Sequence, residues 1–383
     1  MKLVWSMILL CAGLLGQAAV VPAQAGEGAA IIPCSIYGTD DRLDYYEADK
    51  VMQKLAGSTA AMFKDSAIPY DEAAKTYKLK PLSLKDKQNL KPGEKFGDQT
   101  AGSFCSAALV GDDLMLTSGH CLKPDSRGGP CERVKFVFGY AVTAANGQST
   151  AFPAADVYSC KEIVAQMVQD DVSSFACKGD TCKDGKVGPL GADFALVRLD
   201  RKVAGRYPLA VSRRPLTAGT KVTAIGYPSG LPVKIAGNGK VRKVTSDGYF
   251  VSDVDTFGGG SGGPVFNNVT FKIEGVLARG GVDYMYGTAT PVADPMNPYE
   301  YESGQTNVYG QEEGRGEDVT FSSVFERLIP QTEMEKALEK MNQKGAATRP
   351  QVTPAIYTPG TGGSIQPAIY YAPATSGPEP ISI

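Results

Sequence analysis

Between about Ile31 and Ile329 the apolar positions fall in short runs instead of long helical faces. Leu114-Met115-Leu116, Val134–Phe138, Val222–Ile225, Tyr249–Val251 and Ile273–Leu277 are apolar or alternating, and clusters of Gly, Asp, Asn and Pro separate them. Val134, Phe136 and Phe138 share one face at the period of two that a strand imposes. Strands this short at this spacing predict an all-β barrel or sandwich architecture, not a parallel α/β sheet. Residues 141–190 read as a long insertion with three cysteines and the polar run Lys178–Gly185. Gln331–Lys344 predicts a short surface helix, with Met334, Leu338 and Met341 on one face. Residues 345–383 are rich in Pro, Gly, Thr and Ser and predict a disordered tail. Pro-Ala-Ile-Tyr occurs there at 354–357 and 367–370, read as a spacer in preference to a docking peptide of unknown partner.

The amino end adds a compartment. Lys2, the apolar run from Leu3 to about Leu15 and the small residues Ala23-Gln24-Ala25 read as a signal peptide over residues 1–25. Cleavage after Ala25 leaves an expected mature chain of 358 residues that starts at Gly26 and carries net charge −3. No later stretch approaches 18 apolar residues, so an integral span is not expected, and the destination is extracellular or periplasmic. Seven cysteines remain after cleavage, and export makes disulfides the default reading. A Cys177–Cys182 bridge, or one of these two with Cys160, would tie down the insertion, and the odd count leaves one thiol over.

Composition narrows the function classes. The 383-residue chain is 43% hydrophobic and 21% charged with net charge −2, which excludes a disordered chain, a fibrous repeat and a nucleic-acid binder that relies on a basic surface. It has one histidine, so a His-rich metal site is excluded and all imidazole chemistry must run through His120. Nothing in the sequence asks for a cofactor. The one tryptophan, Trp5, lies in the signal peptide.

Three segments carry chemistry. They are Leu116-Thr117-Ser118-Gly119-His120-Cys121, then Ala192-Asp193 leading into Phe194-Ala195-Leu196-Val197, then Asp255-Thr256-Phe257-Gly258-Gly259-Gly260-Ser261-Gly262-Gly263-Pro264. A serine hydroxyl is a poor nucleophile at neutral pH and needs a base beside it. Imidazole titrates near neutrality, so it can take that proton and return it. A buried carboxylate fixes the imidazole tautomer and stabilises the imidazolium. Asp193 stands at the entry of an apolar strand, where an unpaired carboxylate would be costly. Backbone amides of Gly259 and Ser261 would form an oxyanion hole, each donor contributing about 3 kcal/mol. A Cys105–Cys121 bridge, 16 positions apart, would clamp the loop that presents His120.

Thr-Ser-Gly-His-Cys, Asp-Phe-Ala-Leu-Val-Arg-Leu and Gly-Gly-Ser-Gly-Gly-Pro, in that order, resemble the motifs of the trypsin/chymotrypsin-like serine peptidases. The likeness is to their bacterial secreted branch, which includes the glutamyl endopeptidases. Ile36–Arg42, Ala224–Pro228 and Glu274–Gly280 extend it, so that it runs with gaps over about residues 31–330. The resemblance implies two antiparallel six-stranded β-barrels within a single peptidase domain at 26–330. His120 and Asp193 then sit on the first barrel, which runs to about 205 and carries the insertion, and Ser261 on the second, from about 206 to 330. It implies a protein or peptide substrate. Gly260 stands where animal trypsins carry the aspartate of their activation switch. The substrate pocket is expected at Asp255, Thr256, Arg279 and Gly280. Asp255 occupies the place of the trypsin specificity carboxylate, which leans the expectation toward basic P1 residues. Arg279, at a position often tryptophan, would either pair with Asp255 and cancel it or attract acidic substrates itself. The alternative reading is a secreted binding or adhesive protein on an inactive peptidase scaffold, since fold alone does not fix function.

Overall fold

The computed structural model describes residues 35–123, 130–145, 147–169, 190–291, 299–333 and 335–336. The segment read as a signal peptide, Cys34, Cys177, Cys182 and the stretch 345–383 read as a tail lie outside the described residues. Thirteen strands position the site: β1 Arg42–Asp44, β2 Thr59–Lys64, β3 Cys105–Leu109, β4 Leu114–Thr117, β5 Val134–Phe138, β6 Val157–Val168, β7 Asp193–Leu199, β8 Lys221–Gly226, β9 Lys234–Val244, β10 Tyr249–Ser252, β11 Pro264–Asn267, β12 Ile273–Arg279 and β13 Glu317–Phe321.

Strands β6-β7-β4-β3-β2-β5 pair antiparallel in that order and close through β5–β6 into a six-stranded barrel. Strands β8-β11-β12-β13-β10-β9 form a second ring of six, closed by the β8–β9 pairing, and β1 adds to its rim along β9. The expected pair of antiparallel barrels is therefore present. Short apolar runs build them because nearly every residue of β3, β4, β7 and β12 is buried, one face in a barrel interior and the other against neighbouring elements. One apolar cluster joins the two barrels: Phe63, Leu116 and Leu196 from the first share it with Ile225, Phe266 and Val276 from the second. Tyr227 crosses this seam, stacking on Tyr140 and donating its hydroxyl to the Thr59 carbonyl at 2.9 Å.

Two expectations change, on the insertion and on Cys160. The stretch read as an insertion, 141–190, contains the barrel strand β6, whose outer end is exposed and whose sequence does not alternate. Cys160, on that strand, bonds Cys131 across to β5's approach, so its pairing with Cys177 or Cys182 is ruled out. A short helical turn near the carboxyl end falls at Ser322–Phe325, straight after β13. Within the helix expected at 331–344, Glu333, Glu335 and Lys336 are helical, and most of the remainder lies outside the described residues.

Candidate active site

β4 ends at Thr117 and the chain turns at Gly119–Leu122 to present His120. Gly119 is required there: a Cβ would lie 2.5 Å from the Met167 carbonyl oxygen and 2.8 Å from that of Phe194, so any side chain would push the turn off β6 and β7. The Cys105–Cys121 disulfide anchors the turn to β3, as expected. Asp193 opens β7 and is wholly buried. Its Oδ1 accepts the backbone amide of His120 at 3.0 Å and its Oδ2 meets His120 Nδ1 at 2.6 Å. An ionised carboxylate only accepts, so Nδ1 carries the proton and Nε2 of the neutral ring is the unprotonated nitrogen. Burial alone would raise the Asp193 carboxyl. The charge and hydrogen bonds of His120, with Arg279 beyond, outweigh it and hold the group below the ordinary carboxylate range.

Ser261 sits in the turn between Phe257 and Pro264 and is nearly buried. Cys121 Sγ lies 3.8 Å from His120 Nε2 and 3.9 Å from the Ser261 carbonyl oxygen, so one sulfur touches both turns. Gly262 has φ +82°, and a Cβ there would collide with the Ser106 carbonyl and the Thr117 hydroxyl. The amides of Gly260, Gly262 and Gly263 donate to the carbonyls of Phe257, Leu277 and Gly260. Among the described residues the amides of Gly259 and Ser261 donate to no backbone carbonyl. The two amides expected to face an oxyanion are thus not consumed by the fold's own ladder.

The pocket expectations fare differently. Asp255 is buried, and its two oxygens accept the amides of Tyr37 at 2.8 Å and Asp41 at 2.9 Å. Burial pushes its carboxyl up to about 8 against the pull of those amides, and the nearby Asp41 carboxylate adds to the rise. Arg279 does not cancel Asp255: it donates from Nε to Asp318 at 3.1 Å and from Nη2 to the Gly191 carbonyl at 2.8 Å. It therefore braces the approach to Asp193. Thr256 is buried with its hydroxyl against the Gly260 α-carbon side, leaving no room for a side chain at 260. Gly280 offers its carbonyl to Arg315 at 2.9 Å.

Two positioning residues have no motif to announce them. Thr320, on β13, takes the Asp193 amide and donates to the Asp193 carbonyl, both at 2.9 Å. Ser106, on β3, gives its amide to the Ser261 carbonyl and its hydroxyl to the Gly259 carbonyl, both at 2.8 Å, and accepts the Tyr227 amide at 2.9 Å. Each is a buried hydroxyl whose partners are more than 100 positions away, so local sequence carries no signal of the role. The sulfurs of Cys105 and Cys121 also lie close to the His120 ring, but the disulfide leaves them no thiolate to bind a metal.

Residues 105–276 match the family described as the trypsin-like peptidase domain. No curated protein matches the chain. Among solved structures, the chain is similar to the VesB protease of Vibrio cholerae, at 15% identity and TM-score 0.42, over 75% of this chain and 65% of that one, just under two thirds of its length. A Glu endopeptidase in complex with MPD aligns at 13% identity and TM-score 0.40, over 81% of this chain and 99% of that one. Human heparin binding protein aligns at 13% identity and TM-score 0.39, over 79% and 96%. The family match spans the turn of His120, the strand of Asp193 and the turn of Ser261, so the likeness to a trypsin-like peptidase domain takes in all three.

Proposed function

We propose that the protein is an exported serine endopeptidase that cuts peptide bonds through an acyl-enzyme on Ser261. The observation that carries this reading is the paired bond from His120, ring and amide, to the two oxygens of buried Asp193. As Ser261 Oγ attacks the scissile carbonyl carbon, its proton passes to His120 Nε2 and the carbonyl oxygen becomes an oxyanion. The amides of Gly259 and Ser261 donate to that oxyanion. Asp193 stabilises the imidazolium, which then gives its proton to the leaving nitrogen as the C–N bond breaks. Water deprotonated by the same imidazole attacks the ester, and Ser261 recovers its proton.

Export is supported by the segment at 1–25 and by two disulfides among the described residues. No helix of the described residues is long and apolar enough to cross a membrane. The P1 reading proposed here departs from the sequence's lean. With Asp255 held by Tyr37 and Asp41, its carboxyl group is engaged as the anchor of the 37–41 segment, and this favours a P1 selectivity not based on an ion pair with arginine or lysine.

The test is labelling of the purified mature protein with a fluorophosphonate probe, beside Ser261→Ala. The expected result is label on the wild type and none on the variant. An unlabelled wild type overturns the proposal and favours the scaffold without activity. Cleavage-site profiling on a peptide library reads P1 directly, and strong enrichment for Arg or Lys would restore Asp255 as the specificity group.

A further inference from the structure

The chain is slightly acidic as a whole, yet residues 75–95 hold seven lysines against Asp86 and Glu94. In the fold this segment forms one wall of a groove of about 810 Å³. Lys78, Lys80 and Lys87 line it together with Leu79, Pro81 and Leu82, and no carboxylate is among its lining residues. Leu82 is 46% exposed and gives the floor an open apolar surface. Lys78 reaches Asp71 outside the groove at 2.6 Å, and the exposed Lys80 makes no ion pair among the described residues.

The groove is tied to the candidate active site by a short length of backbone. Gly102, in its wall, donates its amide to the Gly230 carbonyl at 2.8 Å. Four residues later the Ser106 amide donates to the Ser261 carbonyl at 2.8 Å. Four residues of fully extended chain span at most about 14 Å. In a straight line the groove wall at Gly102 therefore lies within about four or five extended residues of the Ser261 turn.

We propose that this groove is a second docking site for the protein substrate, taking an extended segment of alternating acidic and apolar residues beside the bond to be cut. The inference rests on the peptidase reading above, which supplies the bound substrate chain. The ammonium groups attract the acidic residues, and Leu79, Pro81 and Leu82 cover the apolar ones. A nucleic acid or acidic sugar chain would engage the lysines and leave that floor bare, which is why a peptide is favoured.

The experiment takes a peptide that the wild-type protein cleaves, from the library above, and extends it with Asp-Leu-Glu-Leu on either side. On one side the extension is expected to raise kcat/KM about three- to tenfold at low salt, the sum of several exposed charge pairs and a small apolar contact. That gain is expected to fall at about 1 M salt, where screening acts within a few ångströms. It should vanish in Lys78→Glu/Lys80→Glu and persist in Lys78→Arg/Lys80→Arg. In parallel, fluorescence anisotropy follows a labelled Asp-Leu-Glu-Leu-Asp-Leu peptide on full-length Ser261→Ala, where no turnover is needed. Normal cleavage with no gain from either extension, or a gain untouched by the Glu variant, overturns the docking site and leaves the peptidase reading standing. Equal binding of an Asp-Gly-Glu-Gly-Asp-Gly control or of a heparin fragment also overturns it. Lysine-dependent peptide binding in a protein that takes no fluorophosphonate label would sustain the groove as a peptide site and remove the peptidase reading.

Discussion

At the scale of single residues, the proton on His120 Nδ1 is set by what faces it. Asp193 accepts twice from one residue, so a change to Asn offers an amide NH₂ in place of an acceptor and can invert the imidazole tautomer. Asp193→Asn is expected to lower kcat by about four orders of magnitude with the fold intact. Its pH effect has a definite sign. The folded carboxyl lies below its unfolded value, so its stabilisation is present at neutral pH and is lost as pH falls through the folded value, below about 4. Acid unfolding followed by circular dichroism should therefore be steeper in the wild type than in Asp193→Asn. Asp255 runs the other way. With its folded carboxyl near 8, the native protein holds a proton that the unfolded chain has released, so stability falls as pH rises from about 4 to 8. Denaturant midpoints at pH 5 and pH 8, taken on a Ser261→Ala background to prevent self-digestion, should differ less in Asp255→Asn than in its parent.

At the scale of elements, β1 and β9 are joined by a buried pair, Asp44 with Lys234, at 2.6 Å between register partners. Gln99 completes the cluster, accepting from Lys234 at 2.8 Å and donating to Asp44 at 2.8 Å. Burial lowers the Lys234 ammonium to about 8 even with Asp44 beside it. Lys234→Met strands the carboxylate and is expected to cost about 3–5 kcal/mol in urea unfolding, whereas Asp44→Leu/Lys234→Met should recover most of that loss. Elements also show which parts of the fold were legible. The runs at 114–116, 134–138, 222–225, 249–251 and 273–277 all fall in strands because continuous or alternating burial leaves an apolar imprint. β6 left none: Lys161 to Val164 are exposed, so its pattern is that of a loop. The candidates His120, Asp193 and Ser261 stood out in the sequence because the chemistry proposed for them demands particular neighbours. Thr320 and Ser106 were not, since a buried hydroxyl is chosen by a distant backbone group that no local window contains.

At the scale of the molecule, the site is shared between two barrels that each hold an apolar cluster of their own and share a third across the seam. Phe194 of the first packs on Phe325 after the second at 5.5 Å, and Thr320 grips Asp193 across the same seam. The barrels are therefore expected to unfold together, and calorimetry of Ser261→Ala should show one transition with matching calorimetric and van't Hoff enthalpies. Two resolved transitions would mean that the seam contributes less than its burial implies.

The amino-terminal segment gives the chain an order of assembly. Ile36 and Tyr37 pair with Val308 and Tyr309, and Asp44 waits for Lys234. The first barrel's strands precede those partners in the chain, so β1 has no native place until residues 234–236 are present, and Ile36 and Tyr37 have none until residues 308–309 are. Closing a loop of that length is slow compared with forming a hairpin. The anchoring of the 37–41 segment on Asp255 then waits for a residue more than 200 positions further along the chain.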